Sequence, residues 1–378
     1  MVQPFIFYYM KKVLFGLAVL LFAFSVSADT IQRDSIEKMA ARMLLVGFRG
    51  DTITPDNPVI SYLTETKVGG IILFDIDLTG SKKLGSRNIT SRGQVRKLTD
   101  DIKRIAGYPL VITTDQEGGL VQRLKPLYGF EEVPTAKHLG ETGSTDSTYY
   151  WSRVLAQQLV DAGITLNLAP EVDLHNAACP PIGYYDRAYS ADPDSVVLHA
   201  RAAIDAFHSL GIKATLKHFP GHGNAISDSH YGLTDVTNTW EERELIPFKR
   251  LIEEGKADAI MTAHIFNRNL DPDLPATLSK KIINDLLREQ LGFKGVIITD
   301  DLYMQGIIDN FSIEEALILA INAGADMLMA SNNISTGFEA DRPAKLVKLI
   351  ADAVESGKID VEKLIQANER INQLIEPL

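Results

Sequence analysis

The residues able to do chemistry crowd into one stretch, Lys217-His-Phe-Pro-Gly-His-Gly-Asn-Ala-Ile-Ser-Asp-Ser-His230, which carries three of the eight histidines in the chain. Pro220, Gly221 and Gly223 exclude a regular helix there, so these side chains sit on an irregular loop. Asp228 lies two residues before His230, and in an extended segment the two can converge. A carboxylate beside an imidazole orients it and favours its charged, proton-donating form, which is the equipment of a general acid/base. The His-x3-His spacing of His218 and His222 would otherwise suggest a metal site. The proline and glycines break the helix that such spacing needs, and no His-Glu-x-x-His pattern accompanies it. The sequence therefore calls for no metal and no cofactor. Cys179 is the single cysteine, which excludes a disulfide framework and a cysteine-rich cluster. Between Ala178 and two prolines it reads as inert.

Stepping along the chain, helical spacing alternates with short apolar runs. Strands are expected near Leu44 to Phe48, Val68 to Phe74, Pro109 to Thr114, Ile164 to Ala169, Lys213 to Leu216, Ala259 to Thr262, Gly295 to Thr299 and Asp326 to Ala330. The continuous apolarity of Val68 to Phe74 suits a strand covered on both faces. Helices are expected at Ser35 to Leu45, Gln94 to Ala106, Thr148 to Ala162, Asp194 to Leu210, Glu241 to Glu254, Lys280 to Leu291 and Ser312 to Ala323. The tail from Arg342 closes with two helices interrupted by Gly357, and Leu78 to Arg92, polar and basic, reads as an exposed loop. Eight strands alternating with helices predict an α/β fold, a (β/α)8 TIM-type barrel in a single domain. No Gly-x-Gly-x-x-Gly follows the first strand, which argues against a dinucleotide fold.

In such a barrel the chemistry lies where strands end. Those positions hold Asp115, Gln116, Glu117 and Arg123 after the third strand, Glu171, Asp173, His175 and Asn176 after the fourth, and His264 after the sixth. Asp300 and Asp301 follow the seventh, and Ser331, Asn332 and Asn333 the eighth. Acids, imidazoles and amides converging on one mouth suit a neutral polyhydroxyl ligand. The formal charge of -11 disfavours nucleic acid and anionic membrane surfaces as partners. Oligomeric state is not legible.

At the start of the chain, Lys11 and Lys12 precede an apolar run from Val13 to Val26, and Val26-Ser27-Ala28 offers small residues before Asp29. That pattern predicts a secretory signal peptide over residues 1–28, cleaved after Ala28, with Met10 a second candidate start. The run is shorter than the ~20 residues of a spanning helix. Cleavage would remove two lysines and no acids, leaving -13, and would export a catalytic domain of residues 29–378 to a periplasm or the outside, without stable membrane insertion.

Five segments carry a resemblance: Asp115-Gln-Glu-Gly-Gly-Leu-Val-Gln-Arg123, Ile182-Gly-Tyr-Tyr-Asp-Arg187-Ala-Tyr-Ser190, Lys217-His-Phe-Pro-Gly-His-Gly223, Asp228-Ser-His230 and Ile298-Thr-Asp300-Asp-Leu-Tyr-Met304. In this order they resemble family 3 glycoside hydrolases of the β-N-acetylhexosaminidase branch. The resemblance implies a barrel that removes terminal β-linked N-acetylglucosamine with retention. It implies Asp300 as nucleophile, His230 as general acid/base with Asp228 as its partner, and Asp115, Arg123, Arg187, Lys217 and His218 as sugar-binding residues. Retaining cleavage needs an attacking carboxylate and a second group that protonates the departing oxygen. Asp301 is an alternative nucleophile, and His264 and Asp173 are weaker candidates. A β-glucosidase and a phosphorylase of the same family remain alternatives, as does a non-catalytic sugar-binding module. Members of this size typically recycle peptidoglycan inside the cell, so the signal peptide leaves the natural substrate open between peptidoglycan fragments and chitooligosaccharides.

Overall fold

The computed structural model describes residues 31–228, 232–334 and 337–378; residues 1–28, expected as a signal peptide, lie outside them, as does His230. Eight strands form one parallel sheet: β1 Leu44–Val46, β2 Gly70–Ile72, β3 Val111–Thr114, β4 Leu166–Asn167, β5 Lys213–Phe219, β6 Ala259–Thr262, β7 Val296–Thr299 and β8 Leu328–Ala330. From β1 to β7 each strand pairs with its sequence neighbour. Closure comes from β8 on β1, in the register Leu44 to Leu328, Leu45 to Met329 and Val46 to Ala330. The β7–β8 seam is sealed by a parallel bridge between Ile298 and Met327. The result is the (β/α)8 barrel that the alternation predicted.

The longer α-helices are α1 Arg33–Arg42, α2 Arg92–Ala106, α3 Thr145–Asp161, α4 Pro193–His208, α5 Ile246–Glu253, α6 Ile313–Ala323, α7 Arg342–Glu355 and α8 Val361–Ile375. A further helical segment, Lys281–Gln290, joins β6 to β7. Local chemistry sets their ends. The Ser91 hydroxyl accepts from the Gln94 N–H at the start of α2, and Ser312 and Glu315 form a reciprocal capping box on α6. Gly107 ends α2 at φ 66°, in the left-handed region that glycine adopts without Cβ strain. The strands are buried on both faces, and their side chains join one continuous apolar core with the inward faces of the helices. Arg33 on α1 reaches Asp352 on α7 at 2.8 Å, tying the two ends of the described chain together.

Two expectations need correction. Leu78 to Arg92 is not an exposed loop throughout: Arg87, Asn88 and Ile89 are buried. Arg87 donates to Asn333 Oδ1 at 2.9 Å and to the Asn332 carbonyl at 2.8 Å and pairs with Asp77, so its charge is consumed inside the fold. The fifth strand, expected to stop at Leu216, continues to Phe219. Its pairing with β6 slips there, from Leu216 opposite Ile260 to Phe219 opposite Thr262. That is a β-bulge, with three steps on β5 matched by two on β6.

Candidate active site

At the carboxyl ends of the strands lies a cavity of about 390 Å³. Asp115, Arg123, Arg187, Lys217, His218, Asp228 and Asp300 all line it. Seven of the eight site residues expected from sequence are thus brought to one place, and the eighth, His230, belongs to the residues not described.

Each wall has its own cause. The bulge in β5 turns Lys217 and His218, adjacent in sequence, into the same cavity, where a regular strand would send them to opposite faces. The peptide between them is cis. After β3, a tight hairpin pairs Gln116–Gly118 with Val121–Gln122 and returns Arg123 over Asp115. The Gln116 side chain fixes that return, its Oε1 accepting from the N–H groups of Arg123 and Leu124, both at 2.9 Å. Gly119 at the tip has φ 54°, and a Cβ there would lie 2.3 Å from Thr135 Cγ2.

The charges form a connected network. Lys217, 1% exposed, places Nζ 2.9 Å from Asp115 Oδ1 and 2.7 Å from Glu117 Oε1. Arg123 reaches the other Asp115 oxygen at 3.3 Å. Arg187 grips Glu117 with two parallel bonds of 2.8 and 2.7 Å, the strong fork geometry of guanidinium on carboxylate. Burial pushes both carboxyls upward, but neighbouring cations win. Lys217 and Arg123 hold Asp115 far below the usual carboxylate range, and Arg187 and Lys217 hold Glu117 at about 2. Burial lowers Lys217, yet Asp115 and Glu117 bring it out above its ordinary value. Glu117 was only one of several acids after the third strand in the sequence. Its signal was the Asp-x-Glu spacing, which puts two acids at the head of the hairpin.

A second group orders the loop. The His218 Nδ1–H donates to Asp173 Oδ2 at 2.8 Å, and the same carboxylate accepts from the N–H groups of His218 and His222. Against the upward push of burial, the His218 bond and charge keep Asp173 below the usual range. Glu171, two residues earlier, is raised well above it by burial and then by Asp173. Burial depresses His222 to about 4, so its ring is neutral near pH 7, and its backbone N–H, 2.7 Å from Asp173 Oδ1, helps to anchor the loop. Glu244, 1% exposed, accepts from the Gly223 N–H and from Asn224 Nδ2, both at 3.1 Å, and holds the loop from beneath.

The two adjacent aspartates after β7 differ in surroundings. Asp301 is 4% exposed and accepts from the Tyr303 N–H at 3.0 Å, the Ser331 N–H at 3.1 Å and the Ser331 hydroxyl. Asp300 is less buried and accepts from the Asp301 N–H at 2.8 Å. His264 lies below the pair, its Nε2–H donating to the Asp301 carbonyl at 2.8 Å and its Nδ1 2.9 Å from Thr277 Oγ1. That makes His264 a support of the turn. Cys179 is buried and its thiol is pushed up to about 12 by burial. Among the described residues no three His, Cys, Asp or Glu side chains gather as a metal site, and none of the helices is long and apolar enough to cross a membrane.

The geometry has counterparts in known proteins. Residues 35–374 match the family described as glycosyl hydrolase family 3 N terminal domain. A beta-hexosaminidase of Tolumonas auensis is 40% identical over 276 residues, covering 72% of this chain and 78% of that protein. A family 3 beta-N-acetylglucosaminidase structure from Paenibacillus superposes with a TM-score of 0.80 at 34% identity. The alignment covers 89% of this chain and only 61% of that one. A beta-N-acetylhexosaminidase structure from Beutenbergia cavernae gives a TM-score of 0.78 at 27% identity, covering 90% and 98% of the two chains.

Proposed function

The chain belongs to glycosyl hydrolase family 3, and from that premise we propose that it is a retaining exo-β-N-acetylglucosaminidase. The observation that carries the reading is the convergence of Asp300, Asp228, Lys217, His218, Arg187, Arg123 and Asp115 on one cavity at the barrel mouth. The names of the relatives, beta-hexosaminidase and beta-N-acetylglucosaminidase, support the choice of sugar.

In the first step, an Asp300 carboxylate oxygen bonds to the anomeric carbon while the bond to the leaving oxygen breaks. The His230 imidazolium gives its proton to that oxygen. In the second step, His230 takes a proton from water, the resulting hydroxide displaces Asp300, and sugar and enzyme are released in their starting charge states. Asp228 orients the imidazole. Asp300 is favoured over Asp301 as nucleophile because the Asp301 carboxylate is already committed to three donors on Ser331 and Tyr303. Lys217 and Arg187, each neutralised by buried acids, offer a fixed set of donors to hydroxyls without presenting a bare positive field.

The test is hydrolysis of an aryl β-N-acetylglucosaminide beside the matching β-glucoside, with and without phosphate. The expected result is N-acetylglucosaminide cleavage, no sugar 1-phosphate, and loss of at least ~10³-fold in kcat for Asp300→Ala, within the range of a removed catalytic nucleophile. Wild-type activity in that variant would refute the assignment. The Lys11, Lys12 and Val13 to Val26 pattern supports export with cleavage after Ala28. An exported chain beginning at Asp29 is the expected N-terminal sequence.

A further inference from the structure

The cavity has two zones. Its floor carries the charged network, while part of its rim is built from large apolar side chains that remain in water: Leu120 is 65% exposed, Leu78 50% and Tyr185 48%. Exposed apolar groups gathered at one opening mark a binding surface rather than a packing remainder. Their positions are not left to loop motion. Leu120 sits three residues beyond Glu117, and Tyr185 two before Arg187. The twofold Arg187–Glu117 pair at 2.7 and 2.8 Å therefore pins the loop after β3 to the loop after β4, and the platform with it. Arg187 also donates to the Pro181 carbonyl at 2.9 Å, closing the loop on which Tyr185 stands.

A terminal sugar held on the floor with its anomeric carbon at Asp300 must send its leaving group out through this mouth. We propose that Tyr185 and Leu120 form the leaving-group subsite, taking the apolar face of a second pyranose ring. This rests on the exo-glycosidase reading above. The chemistry follows from the ligand. A β-linked gluco-configured pyranose carries the axial hydrogens of C1, C3 and C5 together on one face, and that face packs on an aromatic ring or a branched aliphatic chain, while its equatorial hydroxyls stay in water. Tyrosine supplies this area with two side-chain torsions to order. The recognised feature is thus the C–H face of the sugar ring next to the scissile bond, whether it comes from a chitin-type or a peptidoglycan-type chain.

The test compares kcat/KM on the β-1,4-linked disaccharide of N-acetylglucosamine with kcat/KM on methyl β-N-acetylglucosaminide, whose leaving group is too small to reach the rim. Tyr185→Ala is expected to lower the disaccharide-to-methyl ratio about tenfold, and Tyr185→Trp to keep it within about threefold. A ratio unchanged in Tyr185→Ala, with or without a fall in both activities, overturns the subsite, because a structural defect moves both substrates together. A wild type that cleaves neither glycoside overturns the exo-glycosidase reading and the subsite with it. A peptidoglycan-derived disaccharide run alongside identifies which source of ring the platform prefers.

Discussion

Replacing Glu117 by glutamine preserves its shape and removes its charge from between Arg187 and Lys217. The carboxyl is held at about 2 against an ordinary value of 4.5. At ~1.4 kcal/mol per pH unit, the fold favours the ionised form by about 3 kcal/mol. The Glu117 side chain is 5% exposed and its Arg187 and Lys217 partners 11% and 2%, so solvent screens little of this. The value agrees with the ~3–5 kcal/mol cost of breaking one partner out of a buried ion pair. The sign follows from the depressed value. The stabilisation is fully present above about 4.5 and is lost as pH falls toward 2. Glu117→Gln is therefore expected to unfold in urea with about 3 kcal/mol less stability than wild type at pH 7. By pH 3.5 the deficit should shrink by ~1–2 kcal/mol, because the unfolded wild type there already carries the proton. KM should rise as well, since Arg187 loses the fork that aims it. A variant within ~0.5 kcal/mol of wild type at pH 7, or one with the same deficit at both pH values, would refute the claim that Glu117 anchors the site electrostatically.

Glu244 is the opposite case: burial and then the Asp173 charge push it up to about 7. Its contribution is full below about 4.5 and is lost as pH rises through 7, so wild type should lose up to ~3 kcal/mol between pH 5 and 8 that Glu244→Gln does not. Parallel stability curves for the two proteins would count against it. Asp301→Asn should cost ~1–3 kcal/mol in unfolding free energy, because one amide oxygen cannot satisfy the Ser331 and Tyr303 donors together; an unchanged urea midpoint would contradict this. Gly223→Ala places a Cβ 2.0 Å from the Leu174 carbonyl oxygen, and overpacking of this kind costs ~1–3 kcal/mol. Because that contact lies at the foot of the segment bearing Asp228, kcat should fall with stability, and a variant that keeps both would show the loop to be slack.

Much of the barrel was legible because its signals are local. Runs such as Ala259 to Thr262 and Val296 to Thr299 are apolar, strand-length and bounded by polar turns, and the expected and observed limits agree within a residue. The rule that chemistry follows strand ends then placed Asp115, Lys217 and Asp300 among the polar groups of the barrel mouth without any contact information, and the family resemblance singled them out. Leu78 to Arg92 was misread for an equally physical reason. A basic composition normally means a solvated surface, and Arg87 is instead buried because Asp77 supplies its counter-charge while Asn333 and the Asn332 carbonyl, from the far end of the chain, accept further N–H groups.

The sequence by itself determined the order of elements, the closing of the layer pattern into a barrel, and the roster of acids, histidines and cations at its mouth, because periodicity and strand ends are written residue by residue. The tertiary structure alone decided how that roster is paired. Glu117 meets Arg187 across 70 positions, and Asp301 surrenders its carboxylate to Ser331 across 30. A slip of one position in β5 puts Lys217 and His218 on the same wall. Such pairings depend on strand register and on which loops share a rim, and a buried charge takes the partner that packing brings within about 3 Å.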